Sequence, residues 1–266
     1  MKHKSIRSDN GVVHYWTEGR AAPCILFSHG ATMDHQLFEW QVEYFSSQYK
    51  VIVWDSPAHG QSRPYSDCSL ENAASELVRI LDQEQVQSAH LVGQSMGGYI
   101  SLITARSFPE RVSSFTAVGS SPLQASYYST FDYWMLSIAP PLLKLYPHSS
   151  LIKTISENVA ISAAAMDYAL KTLKTYSKDE IAKIMKAVYR GVKAYGECDP
   201  LPIPVLITYG ANEKTGKVEA YSQEWAEREN RPLKVISNAA HNANMDNPDE
   251  FNSVLESFLS ELEKKA

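Results

Sequence analysis

The stretch "HLVGQSMGGYIS", His90–Ser101, sets three glycines, Gly93, Gly97 and Gly98, around one serine, Ser95. Glycine inside regular structure gives up roughly 0.5–1 kcal/mol relative to alanine, so its clustering signals a backbone that needs room. Gly93–Gly97 reads G-x-S-x-G, with the apolar run "SAHLV" before it and helix-length sequence after it. In that context the serine belongs on a sharp strand-to-helix turn whose strained backbone only small neighbours permit. Such a turn lifts the Ser95 hydroxyl above the sheet edge and aims a helix N-terminus at it. No G-x-x-x-x-G-K phosphate loop is present, which weakens a nucleotide-binding reading.

Outward from the turn, short apolar runs alternate with amphipathic ones. "CILFSHG" leads to "HQLFEWQVEYFSS", then "KVIVWDSPAHG"; "LENAASELVRILDQE" precedes "SAHLVGQS"; "PVLITYG", "VEAYSQEWAEREN" and "LKVISNAAH" close the series before a last helix. Ile25–Phe27, Val51–Trp54 and Val205–Ile207 do not alternate polar with apolar, as expected of strands buried on both faces of a parallel sheet. Leu70, Ala73, Ala74, Leu77, Val78 and Leu81 follow the helical i, i+3, i+4, i+7 spacing, and Phe251, Val254, Leu255, Phe258, Leu259 and Leu262 repeat it. Both stripes predict core-facing helices. Asn247 is placed to cap the second, with Pro248 at its first position and Glu250 at N3.

Between Pro122 and Pro200 the alternation stops. The segment is helical in character, opens with the aromatic cluster "SYYSTFDYWMLSIAPPLLKLY", and is bounded by "SSP" and "DPLPIPV", whose prolines resist helix. The expected organisation is an α/β core of residues 1–121 and 201–266 carrying a helical cap, residues 122–200.

With 44% hydrophobic and 21% charged residues the balance is that of a globular chain. A formal net charge of -5 argues against nucleic acid or an anionic membrane as partner, and no apolar run reaches membrane-spanning length. "MKHKSIRSDNG" is basic without an apolar segment behind it, unlike a secretory signal. Cys24, Cys68 and Cys198 are few, odd in number and widely spaced, which suits neither a disulfide framework nor a metal site and fits a reducing cytoplasm.

"FSHGATMDH" (Phe27–His35), "VIVWDSPAHGQSRP" (Val51–Pro64), "LVGQSMGGYIS" (Leu91–Ser101), "FPERV" (Phe108–Val112), "PVLITYGANE" (Pro204–Glu213) and "AAHNANMDNPDEF" (Ala239–Phe251), in that order, resemble the α/β-hydrolase superfamily over nearly the full length. The branch they are most similar to is that of capped serine esterases and cofactor-free, haloperoxidase-like enzymes, which share "SMGG". The resemblance implies an α/β-hydrolase fold, a mostly parallel central sheet flanked by helices. It also implies a triad in the order serine, acid, histidine. His241 stands where the family has its base. Glu213, in Gly210-Ala211-Asn212-Glu213, stands where the acid is more often aspartate, leaving Asp199 and Asp246 as substitutes. The resemblance further implies an oxyanion hole from the backbone N–H groups of Ala31 and Met96, and no metal or organic cofactor. His29 and His59 read as structural. Tyr127, Tyr128, Phe131, Tyr133 and Trp134 are expected either to form an apolar pocket wall or to pack the cap onto the core.

The implied function is hydrolysis of a small or medium carboxylic ester, lactone or thioester with an apolar portion, through an acyl-enzyme. Ser95, in place of aspartate, separates the chain from haloalkane dehalogenases and epoxide hydrolases. Two alternatives stay open: a carbon–carbon bond hydrolase with the same triad, which usually has tryptophan where this chain has Asn242, and a ligand-binding member with little turnover.

Overall fold

Eight strands form one sheet because five of them are apolar on both faces and can be satisfied only between two layers of helices. The computed structural model describes residues 1–19 and 22–264; residues 20, 21, 265 and 266 of the expected core lie outside the described residues. In chain order the strands are β1 (Lys2–Ser8), β2 (Gly11–Gly19), β3 (Cys24–Ser28), β4 (Lys50–Trp54), β5 (Ala89–Gln94), β6 (Val112–Val118), β7 (Val205–Gly210) and β8 (Leu233–Ile236). They are ordered β1-β2-β4-β3-β5-β6-β7-β8, antiparallel from β1 to β4 and parallel from β4 to β8. Every residue of β3 and β7 is buried, whereas the edge strands β1 and β8 expose alternate or adjacent positions and carry Lys2, Lys4 and Lys234. Edge lysines discourage pairing with another chain.

The helices are α1 (Glu39–Phe45), α2 (Leu70–Gln83), α3 (Met96–Ser107), α4 (Thr130–Leu143), α5 (His148–Val159), α6 (Ala163–Leu173), α7 (Lys178–Ala194), α8 (Val218–Glu229), α9 (Ala243–Asp246) and α10 (Pro248–Glu263). The stripe predicted from Leu70 to Leu81 is the buried face of α2, whose first turn is capped by Ser69 accepting from the Asn72 N–H. In α10 the Asn247 side chain accepts from the Glu250 N–H and Pro248 opens the helix, while Phe251, Leu255 and Leu259 are buried. Four helices, α4 to α7, come consecutively between β6 and β7, and no strand interrupts them among the described residues.

A buried amide network ties the last helices to the first. Gln41 Nε2 donates to the Asn244 carbonyl (3.0 Å) and to Asn252 Oδ1 (2.8 Å), and Asn244 Nδ2 donates to the Leu37 carbonyl (2.8 Å). It fixes α9, and so the loop before it, against α1. Leu77, fully buried on α2, has no room to be replaced by solvent. Leu77→Ala is expected to lower stability by about 2–5 kcal/mol in urea unfolding followed by circular dichroism.

Candidate active site

Five loops at the carboxyl ends of adjacent parallel strands converge, the position where open α/β sheets bind ligands. They follow β3, β5, β6, β7 and β8 and carry Ala31, Ser95, Gly119, Glu213 and His241 respectively.

Ser95 has φ +49° and ψ −113°, a left-handed conformation that costs a non-glycine residue about 1–3 kcal/mol. The surroundings fix it. Its N–H donates to the Val118 carbonyl of β6 (2.9 Å), and its own carbonyl accepts from the Gly98 N–H (2.9 Å) and from Ser120 Oγ (3.0 Å). A Cβ at Gly93 would strike the Gly97 carbonyl, one at Gly97 the Ser28 carbonyl, and one at Gly98 the Ser120 hydroxyl. The three glycines thus allow α3 to start pressed against β3 and β6, with Ser95 at the corner.

His241 is 4% exposed and lies between β8 and α9. Its Nδ1–H donates to Glu213 Oε2 at 2.7 Å, and the Glu213 side chain is itself 1% exposed. The second carboxylate oxygen accepts from the Thr215 N–H (2.7 Å). Burial pushes the Glu213 carboxyl up, but the opposing His241 charge, the His241 hydrogen bond and the Thr215 N–H outweigh it. The group is held below the usual carboxylate range. The contact leaves Nε2 as the free ring nitrogen. Gly119, at φ +56°, lets the chain pass beneath this pair: a Cβ there would lie 3.0 Å from His241 Nδ1.

The loops are braced to one another. The Asn212 N–H donates to the Ala239 carbonyl (2.8 Å) and Gln94 Nε2 to the His241 carbonyl (3.1 Å). The Asp246 carboxylate makes no hydrogen bond to the His241 ring among the described residues. It accepts the N–H groups of Ala240 (2.8 Å), Ile161 (3.0 Å) and Ser162 (2.8 Å), and the Asn242 N–H donates to the Val159 carbonyl (2.7 Å). The α5–α6 corner is thereby fastened to the histidine loop. Asp199 accepts the Arg106 guanidinium on its backbone carbonyl (2.9 Å) and makes no hydrogen bond or ion pair with His241 among the described residues.

Ser95, His241 and Ala31 line one cavity of about 350 Å³. Met96 begins α3 directly after Ser95 and is buried. Among the described residues neither the Ala31 nor the Met96 N–H donates a hydrogen bond within the protein; Ala31 lines the cavity and Met96 does not. His29 and His59 hold loops. His29 Nδ1–H donates to the Gly30 carbonyl (2.7 Å) and its Nε2 accepts from the Ser56 N–H (3.0 Å), while burial lowers its pKa. His59 is pushed down to about 3, first by burial and then by the neighbouring His29.

Of the two expectations for these aromatics, the pocket wall is not met: none of Tyr127, Tyr128, Phe131, Tyr133 and Trp134 lines this cavity. Tyr127 is buried beneath the Arg228 guanidinium, 4.6 Å from its ring centre. Tyr128 donates to the Pro122 carbonyl (2.6 Å) and packs between Tyr133 and Tyr221. Phe131 and Trp134 lie on each other, 61% and 55% exposed. The reason is helix rotation. Helix α4, begun by the Ser129–Asp132 capping box, turns Ala139 and Leu143 to the cavity and leaves positions 131 and 134 on its outer face. The remaining apolar wall comes from Ile155 and Val159 of α5 and from Ile181, Met185 and Tyr189 of α7. The i, i+4, i+8 spacing of the last three was the signal in the sequence for this face.

A model of the alpha/beta hydrolase fold matches residues 23–248. The chain belongs to the alpha/beta hydrolase family. Within that family it is 24% identical, over 264 residues covering 95% of each chain, to (E)-2-((N-methylformamido)methylene)succinate hydrolase of Acinetobacter baylyi. To the pimeloyl-[acyl-carrier protein] methyl ester esterase of Aeromonas hydrophila it is 26% identical over 251 residues, 89% of this chain and 95% of that one. The enol-lactonase of Burkholderia xenovorans superposes with a TM-score of 0.79 at 16% identity, over 97% of this chain and all of that one, a likeness of fold. These relatives are hydrolases.

Replacing the Asp246 carboxylate strands the buried N–H of Ala240 and frees the α5–α6 corner. Asp246→Ala is expected to lower thermal stability by about 2 kcal/mol. It should also raise amide exchange at residues 239–242 and 160–163, with exchange elsewhere unchanged, read by hydrogen–deuterium exchange.

Proposed function

We propose that this hydrolase is a serine esterase, cleaving small or medium carboxylic esters, lactones or thioesters through an acyl-enzyme, with helices α4 to α7 serving as its cap. The observation that carries the reading is the buried 2.7 Å contact between His241 Nδ1 and Glu213, beside a backbone-strained Ser95 in the same cavity. Serine is a weak nucleophile until a neighbouring base accepts its proton. His241 Nε2 takes the Ser95 hydroxyl proton as Oγ bonds to the acyl carbon. Glu213 keeps the other ring nitrogen protonated and stabilises the imidazolium that forms. Charge on the former carbonyl oxygen is met by the Ala31 and Met96 N–H groups, donors of a kind commonly worth about 3 kcal/mol each. Collapse of the tetrahedral adduct expels the alcohol, or thiol, with the proton from Nε2. Water repeats the sequence and releases the acid.

Two features bear on the substrate. The wall contributed by α4, α5 and α7 is apolar except at Asn158 and suits a hydrocarbon portion. Asn242, 1% exposed, also lines the cavity, and its Nδ2 has no partner among the described residues. A buried unpaired amide favours a substrate that brings a second polar acceptor besides the scissile carbonyl. The three free cysteines support a reducing cytoplasm as the compartment, and no helix among the described residues is long and apolar enough to cross a membrane.

A fluorophosphonate probe should label the wild-type chain at Ser95, mapped by peptide mass spectrometry, and leave Ser95→Ala unlabelled and inactive on p-nitrophenyl esters. Labelling at another serine, or turnover in Ser95→Ala, would overturn the assignment. Glu213→Gln should cut kcat by about a thousandfold or more with the fold retained, because the imidazole loses its oriented tautomer.

A further inference from the structure

On α4, Phe131, Trp134, Met135, Ile138 and Leu142 recur at i, i+3, i+4, i+7 and i+11, and the stripe continues through Leu145 and Tyr146 beyond the helix end. In a globular chain this spacing marks a face turned to the core. Here it faces out: Phe131, Trp134, Met135, Leu142, Leu145 and Tyr146 are all exposed, Leu145 at 77%. Exposed apolar residues gathered in this way mark an interaction surface, whereas scattered ones do not.

The ground beside the stripe is cationic. A groove of about 670 Å³ separates α4 from α7, with Leu136, Pro140 and Tyr189 among its apolar lining. Around it stand Lys144, Lys183, Lys186, Arg190 and Lys193, against the single carboxylate of Asp179, which Lys144 engages at 2.6 Å. Lys183, Lys186 and Arg190 form no ion pair among the described residues, in a chain whose overall formal charge is -5. The exposed arc of α4 runs without a break from Trp134 and Leu142 to Ser137, Pro141 and Lys144 at the lip of this groove.

We propose that the outer face of α4, with the cationic ridge of α7 beside it, is a docking surface for an anionic lipid bilayer. Trp, Tyr and Phe with lysine and arginine at their margin are the side chains that settle at a headgroup boundary, rings in the acyl margin and cations on the phosphates. Charge complementarity selects this occupant over a second copy of the chain. A two-fold contact through the same patch sets like cations against like cations. Net charge alone argues against an anionic membrane; segregation of the cations onto one face reverses that conclusion locally. The same helix turns Ala139 and Leu143 inward to the cavity holding Ser95, so docking sets one wall of that cavity on the lipid surface.

The test is sedimentation of the full chain with vesicles of phosphatidylcholine, with and without phosphatidylglycerol, at low and high salt. Binding about tenfold or more tighter to the anionic vesicles, weakened by salt, is expected. Trp134→Glu with Leu145→Glu should abolish it, and Lys183→Glu with Lys186→Glu should weaken it about tenfold. Both variants should keep the wild-type circular dichroism and, because none of these side chains lines the Ser95 cavity, wild-type hydrolysis of a water-soluble ester. Three results would overturn the proposal. One is no retention on phosphatidylglycerol vesicles at low salt. Another is binding indifferent to the Trp134/Leu145 variant. The third is a dimer, by light scattering, that this variant breaks apart. Vesicle binding is read without turnover, so its failure is distinct from failure of the esterase reading.

Discussion

One backbone conformation organises the molecule: Ser95 held at positive φ where β5 turns into α3. Nothing in the serine itself favours that geometry. It persists because β6 accepts its N–H, Ser120 and Gly98 grip its carbonyl, and three neighbouring positions lack a Cβ. Gly97 brings α3 against the end of β3, so the same contact that strains the serine also sets where the Ala31 loop passes. Backbone strain and helix packing at Ser95 are consequences of one close approach.

The charged half of the site rests on a different principle. Glu213 and His241 are both withdrawn from water, which penalises a lone carboxylate, and they are tolerable there because each satisfies the other. Their loops leave adjacent strands, β7 and β8, and share a backbone bond at Asn212–Ala239. The pair therefore inherits the rigidity of the sheet, with little left to loop flexibility.

Much of this was legible in the sequence because local rules determine it. A serine among glycines between a strand and a helix can adopt few shapes, and the parallel sheet announces itself in runs such as Ile25–Phe27 that are buried on both sides. The extra methylene of Glu213, set against the aspartate more usual in the family, is accommodated with a short contact to His241. Where reading from sequence failed, the cause was long-range or rotational. Phe131 and Trp134 have the chemistry of a pocket wall, but the packing of α4 on α7 leaves them on its outer face. Asp246 is separated from Ile161 and Ser162 by more than eighty positions, so no local pattern advertises their bonds. The unpaired amide of Asn242 was equally silent, since satisfaction of a polar group is a property of its three-dimensional neighbours.

That Asp246 clasp has a mechanical corollary. Swinging the helical layer about the α5–α6 corner would drag the imidazole out of register, making this corner an anchor and not a flap. Helices α4 and α7, which also line the cavity, make no hydrogen bond to the histidine loop among the described residues. Their tethers to the sheet run through the proline-bearing stretches after β6 and before β7.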